Sequence, residues 1–389
     1  MKSIELFAGA GGLALGTESA GFKHEAVVEL NRNACDTIKR NTELGSIDWP
    51  LFPGDVAEFG FSHYRDVDLV SGGPPCQPFS IGGKHRGHTD KRNLFPEVVR
   101  AVRETQPRAV LVENVKGLLR PGFAKFFEYV LLQISYPDLV QKDGEDWVEH
   151  LSRLEQYQTN GSKDGLYYKP VFRCLNAADY GVPQKRERVF IVAFRGDVIT
   201  EPGFSFPNPT HSKAELLRSK WITGEYWDRH KVATHSRPKR PANVQCLLSL
   251  GDDVQPWRTV RDAISDLPDP RKPNDVANHK HNPGARVYGG HTGSPLDEPA
   301  KTLKAGDHGV PGGENMLAHP NGTVRYFSVR ESARLQTFPD DYVFEGSWTE
   351  TMRQLGNAVA VNVASQVASR IRETLERQPM ERRQHVGGK

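Results

Sequence analysis

The first two hundred residues alternate short apolar runs with amphipathic stretches. Apolar runs fall at 3–7, 24–29, 67–71, 109–113, 171–175 and 188–194, the length of strands rather than of buried helices. Between them, residues 33–41 and 93–105 carry apolar positions at helical spacing. Strands alternating with helices predict an α/β fold, a doubly wound parallel sheet with helices on its faces. The texture changes after Phe194. From 196 to 323 Pro, Gly, His and polar residues dominate, which predicts a separate loop-rich module. Helical periodicity returns at 329–337 and 352–375, and the charged end is expected to fray. Residues 136–149 and 159–165 read as surface loops. The expected organisation is therefore a sheet-bearing domain at 1–195, a module at 196–323, a helical return at 324–376 and a flexible tail at 377–389.

Composition changes this picture little. A chain of 389 residues holds two domains or one with an inserted module. No stretch approaches the roughly 18–20 apolar residues of a membrane span. Met1-Lys2-Ser3 runs into a strand pattern without a secretory leader, so the expected location is the cytoplasm and no membrane partner is expected. Cys35, Cys76, Cys174 and Cys246 form no CxxC pair. A disulfide framework and a zinc ribbon are both excluded, and no metal site is expected. With 51 Lys and Arg against 48 Asp and Glu, the formal charge of +3 does not advertise a polyanionic partner; only its distribution can.

Candidate chemistry sits at the ends of the predicted strands. Residues 4–16 pass from a strand through a turn containing Gly9, Gly11 and Gly12 into a helix. Such glycines let backbone approach a ligand, and the helix start offers free N–H groups. Glu29, about 20 residues on, suits the ribose of a nicotinamide dinucleotide or of S-adenosylmethionine, while a tight turn without ligand is the alternative. Asp55 is a second carboxylate, for an adenine amino group or simply for a turn. Farther along, Gly72-Gly73 end a buried strand and Pro74-Pro75 present Cys76 beyond the carboxyl edge of the sheet, where open α/β folds bind ligands. The glycine-hinged loop after it carries Lys84, Arg86 and Arg92, cations that favour a thiolate or hold a phosphate backbone. Glu113, at the next strand end, suits hydrogen bonding or proton donation to a heterocycle, or helix capping. Arg186 and Arg188, two apart on an extended segment, point to one face and to one shared ligand. In the module, Arg229, His230 and Lys231 with Arg237, Lys239 and Arg240 form a basic patch, free of acids between its ends, suited to phosphates.

Six blocks together resemble, in order, the motifs of the cytosine-5 DNA methyltransferases, bacterial type. They are Phe7-Ala8-Gly9-Ala10-Gly11-Gly12, Pro74-Pro75-Cys76-Gln77-Pro78-Phe79-Ser80, Glu113-Asn114-Val115, Gln184 with Arg186 and Arg188, the run from Arg330 to Pro339, and Gln354-Leu355-Gly356-Asn357-Ala358-Val359. The resemblance implies a Rossmann-like methyltransferase that moves a methyl group from S-adenosylmethionine to ring carbon 5 of a flipped-out cytosine in double-stranded DNA. It makes 196–323 the target recognition domain, inserted before the C-terminal helices. Cys76 would add to ring carbon 6, Glu113 would hold ring nitrogen 3 and the exocyclic amine, and Arg188 would contact the carbonyl oxygen, with Arg186 organising the site or a phosphate. On the cofactor side Phe7, Gly9, Gly11, Gly12 and Pro75 would line the methionine end, Glu29 the ribose and Asp55 the adenine, with Asn357 and Val359 completing the pocket. The loop from Ser80 to Arg92 would close over the flipped base. In the recognition segment the block around Thr302 and the glycine-rich loop after it would bring His308 or Asn315 to base edges. A nicotinamide cofactor leaves Cys76 and Glu113 without a task. The implied setting is a monomer in a restriction-modification system beside a separate endonuclease. Alternatives are a tRNA-methylating relative, whose recognition segment is much shorter, and a non-catalytic DNA-binding module.

Overall fold

The computed structural model describes residues 1–65, 67–75, 94–161, 165–199, 203–241, 254–287, 289, 292–305 and 315–377. Cys76, Ser80, Lys84, Arg86, Arg92 and His308 lie outside the described residues. The chain runs β1 Lys2–Leu6, α1 Gly12–Ser19, β2 Lys23–Glu29, α2 Arg32–Glu43, β3 Leu51–Pro53, β4 Leu69–Gly72, α3 Phe95–Thr105, β5 Ala109–Val115, α4 Ala124–Ser135, α5 Trp147–Thr159, β6 Tyr168–Asn176 and β7 Glu187–Arg195. These strands form one sheet in the order β3-β2-β1-β4-β5-β7-β6. Its central strands are buried on both faces, which is why they read as continuous apolar runs. Along β7, Phe190, Val192 and Phe194 join a core with Leu13 of α1 on one face. Val189, Ile191 and Ala193 join Val98 and Val130, from α3 and α4, on the other.

Three expectations need correction. The sheet is not wholly parallel: β7 runs antiparallel to both β5 and β6. Only residues 177–186 separate β6 from β7, too few for the crossover of a dozen or more residues that a parallel return requires. The edge strand β3 escaped the periodicity because it is three residues long and ends in Pro53. Residues 352–375 are not one helix but parts of two, broken where Ala358 is extended.

Beyond β7 follow β8 His211–Ser212, α6 Lys213–Trp221, α7 Glu225–Arg229, β9 Gln255–Pro256, α8 Val260–Ile264, β10 Ser294–Pro295, β11 Met316–Ala318 and β12 Val324–Tyr326. The chain then closes with α9 Val329–Leu335, α10 Trp348–Asn357 and α11 Val361–Arg377. The segment from 196 is loop-rich as expected, yet it is not walled off. Val198 and Phe206 pack into the core beneath the sheet with Phe194 and Ile371. Val260, Ile264 and Leu303 share another cluster with Phe327 and Leu335. No helix among the described residues is long and apolar enough to cross a membrane.

Candidate active site

The parallel strands end along one edge, and their carboxyl ends carry the polar residues that the apolar runs deliver there. After β1 the backbone turns sharply: Phe7 has φ 54°, Gly9 φ 55° and Gly11 φ 85°. A phenylalanine in the left-handed region is strained, and such strain concentrates at sites of function. Glu29 at the end of β2 bridges the turn, accepting from Gly9 N at 2.6 Å through one oxygen and from Asn31 N at 2.6 Å through the other. Burial raises its pKa against these backbone bonds. Asp55 follows β3 and accepts from Ala57 N at 3.0 Å.

Glu113 stands at the end of β5, buried. Its reach toward Arg188 depends on the strand reversal. Because β7 is antiparallel, its first residues lie on the same edge as the last residues of β5, with Arg188 opposite Val115. Arg188 Nε comes within 2.9 Å of Glu113 Oε1, an ion pair held inside the site. Burial raises the pKa of Glu113, opposed by the charges of Arg188 and Arg186. Asn114 Nδ2 donates to Pro74 O at 3.1 Å, tying the end of β5 to the backbone that leads to Cys76.

One cavity of about 750 Å³ joins these groups. Phe7, Gly9, Glu29 and Asp55 line it at one end, Pro75, Glu113 and Arg188 at the other, and Asn357 and Val359 close it. A methyl donor and an acceptor base fit one such space. A Cβ at Gly9 would meet nothing within 4 Å, so the turn leaves open room beside the Glu29 carboxylate. Gly11 and Gly12 do not line the cavity, contrary to expectation. A Cβ at Gly11 would sit 2.6 Å from Trp49, and one at Gly12 2.3 Å from Val359 O. Their lack of a side chain lets the start of α1 pack closely against Trp49 and the backbone of Val359.

Arg186 also departs from expectation. It is 1% exposed and donates to Leu303 O at 3.0 Å, Gly356 O at 2.7 Å and Ala358 O at 2.8 Å. A guanidinium committed to three buried carbonyls is closed to a phosphate, and it does not share a ligand face with Arg188. Thr302 donates its hydroxyl to Lys185 O at 2.6 Å, and Asn315 binds Lys304 through both ends of its amide at 3.1 and 3.0 Å. The one hydroxyl hydrogen of Thr302 is thus spent on backbone, and Asn315 is fully buried, which keeps its amide from a base edge. Within the basic patch, Arg229 pairs with Asp262 at 2.8 Å and Arg237 with Asp228 at 2.9 Å; Lys239 and Arg240 are exposed. The sequence reading missed Leu30 and Asn114 as cavity residues. Leu30 is 67% exposed, and the signal was there: a large apolar residue directly after a strand-end carboxylate.

A seven-stranded sheet of this order, with a carboxylate closing a glycine turn and one cavity along its carboxyl edge, defines an S-adenosylmethionine-dependent methyltransferase. Its fold is similar to that of the Schizosaccharomyces pombe Dnmt2 methyltransferase, with a TM-score of 0.54 and 18% identity over 96% of this chain and 98% of that one. It is similar also to the Entamoeba histolytica methyltransferase EhMeth, with a TM-score of 0.56 and 14% identity over 96% and 98%. The model of the C-5 cytosine-specific DNA methylase family matches residues 1–136 and 145–373. Among relatives, the Type II methyltransferase M.Eco47II of Escherichia coli is 33% identical over 96% of this chain and 79% of its own length. The Type II methyltransferase M.NgoMIV of Neisseria gonorrhoeae is 32% identical over 97% and 98%. The chain belongs to the C-5 cytosine-specific DNA methylase family. It is a DNA cytosine-5 methyltransferase that uses S-adenosylmethionine.

Proposed function

We propose that the enzyme methylates cytosine within a specific duplex sequence through a covalent adduct at Cys76, with residues 196–323 as its target recognition domain. The observation that carries this reading is a continuous cavity lined by Glu29, Glu113 and Arg188 together, because transfer requires donor and base in one water-poor space. When bound, S-adenosylmethionine supplies an electrophilic methyl group on a sulfonium. Glu29 receives the ribose hydroxyls on the lone pairs its backbone bonds leave open, and Asp55 receives the adenine amine. Phe7, Gly9 and Pro75 face the methionine end, with Asn357 and Val359 as the far wall.

The flipped cytosine meets Glu113 and Arg188. Carbon 5 is a weak nucleophile until the Cys76 thiolate adds to carbon 6, which moves the ring double-bond pair toward carbon 5 and nitrogen 3. Glu113, whose pKa is raised by burial, is suited to hold a proton against nitrogen 3 as that charge develops. Arg188 faces the ring carbonyl. Carbon 5 takes the methyl group, its proton leaves to solvent, and the pair from that bond restores the double bond and expels the thiolate. Lys84, Arg86 and Arg92 after Ser80, together with Lys239 and Arg240, are assigned to phosphates, and the loop holding His308 to base edges. The Type II names of the relatives favour a modification role beside a separate restriction endonuclease; a monomer in the cytoplasm completes the reading.

The test is to incubate the protein with tritiated S-adenosylmethionine and either duplex DNA or tRNA, and to map 5-methylcytosine by bisulfite sequencing. Label in DNA at one sequence context is expected; label in tRNA alone, or none, overturns the reading. Cys76→Ala is expected to abolish transfer and to leave cofactor affinity within a few-fold. Loss of cofactor binding in that variant would instead make the residue structural.

A further inference from the structure

The buried side chain of Arg186 ties together two parts of the chain that lie far apart in sequence. Its Nη1 holds Leu303 O in the block 302–305, and its Nη2 holds Gly356 O and Ala358 O at the end of α10. The last carbonyls of a helix lack intrahelical partners, and a cation placed there is favoured by the helix dipole. Gln184 braces the same block, accepting from Leu303 N at 3.0 Å and donating to Leu335 O at 3.2 Å. There is no slack in the contact: a Cβ at Gly356 would lie 2.2 Å from Ala305 N and 2.5 Å from Lys304 C. The other side of that strip is the cofactor cavity, which Gly356, Asn357, Ala358 and Val359 line. Past Ala305 the chain returns at Asn315, whose amide pins Lys304 through both hydrogen bonds.

One strip of backbone thus has the cofactor cavity on one side and residues 302–305, with Asn315, on the other. We propose that Arg186 is a positioning residue that couples cofactor binding to DNA recognition, by holding residues 302–305 of the recognition segment against the cavity wall. The inference rests on the reading of 196–323 as the DNA-recognising segment. A ligand that fills the cavity restrains the strip from 356 to 359, the clamp passes that restraint to 302–305, and DNA then meets a recognition segment already anchored there. By reciprocity, DNA tightens the cofactor by the same factor. The planar fork of Arg186 reaches three carbonyls at once, which a lysine ammonium on a single stem does not reproduce.

The test uses S-adenosylhomocysteine, the demethylated product, so that no reaction intervenes. Its affinity and that of a duplex carrying the mapped site are measured separately and together, by calorimetry and fluorescence anisotropy. In the wild type the product is expected to tighten DNA about tenfold or more. In Arg186→Lys that factor is expected to fall to within about twofold of unity, while each ligand alone binds within about threefold of wild type. Gln184→Ala, which removes the second brace and leaves the clamp, is expected to lower the factor part of the way and decides the matter if Arg186→Lys does not fold. A wild-type factor near unity, an unchanged factor in either folded variant, or loss of product binding without DNA overturns the proposal. Failure of the wild type to bind or methylate any duplex is a different result, and removes the underlying reading instead.

Discussion

The sheet edge and the segment beyond Phe194 treat their carboxylates in opposite ways. At the edge, Glu5, Glu29 and Glu113 are buried and burial raises the pKa of each, Glu5 to about 8. Among the described residues Glu5 bonds Ser71 through one oxygen, and its other oxygen is buried without a partner. In the later segment, burial pushes Asp262 up, but hydrogen bonds from Thr259 and the charges of Arg229 and His230 outweigh it, and its pKa is lowered. Asp266 is lowered first by its hydrogen bond from Arg334. Asp297 joins Arg261 at 2.6 Å and Tyr226 at 2.8 Å. The difference follows from what holds each region. The sheet has apolar layers on both faces and tolerates carboxyls at the cavity whose partners come with ligands. The later segment has short helices and small clusters, and its paired charges do the holding.

Three substitutions probe that contrast. The largest effect is expected from Gly12→Ala, whose Cβ would sit 2.3 Å from Val359 O. Backbone cannot swing aside as a side-chain tip does, so the pocket wall must move; cofactor affinity is expected to fall at least tenfold and stability by roughly 1–3 kcal/mol or more. Calorimetric titration with S-adenosylhomocysteine checks it, and unchanged affinity would show the wall to be pliant.

Glu5→Gln comes next, with an effect that depends on pH. The folded protein keeps the Glu5 proton up to about pH 8, whereas an ordinary glutamate carboxyl loses it near 4.5. The folded state therefore binds the extra proton between these values. Its stabilising contribution is complete below 4.5, declines as pH rises, and is lost above about 8. Gln, which carries no proton to lose, is expected to match wild type at pH 5 and to exceed it at pH 8.5 by an amount on the order of a few kcal/mol. Denaturant melts at the two pH values decide this, and equal differences at both would mean that Glu5 is already ionised in the fold. The smallest effect is expected from Asp297→Ala, about 1–2 kcal/mol from leaving the Arg261 guanidinium without its carboxylate. Tyr226 keeps Thr259 at 2.9 Å, so the loss falls on Arg261, and the substitution should weaken duplex binding while cofactor affinity stays the same. An equal loss of both would erase the distinction between the two regions.

Six of the seven strands of the large sheet, the carboxylates at their ends and, through six blocks, the family could be read from the sequence alone. Apolar runs are local, and in a parallel sheet every strand end falls on the same edge, so Glu29, Asp55 and Glu113 were legible before any contact was known. What it did not disclose depended on partners far along the chain. The reversal of β7, which brings Arg188 to Glu113, follows from the short link after β6 and from pairing with β5, nearly eighty residues earlier. Gly11 and Gly12 looked like ligand glycines because a glycine needed for packing and one needed for a ligand carry the same letter. The same holds for Arg186, Thr302 and Asn315: each has the chemistry of a nucleic-acid contact, and each is engaged by backbone atoms instead. Residue type sets which hydrogen bonds a side chain can make, while only the tertiary structure decides which groups reach it first, because burial rewards the partner at hand.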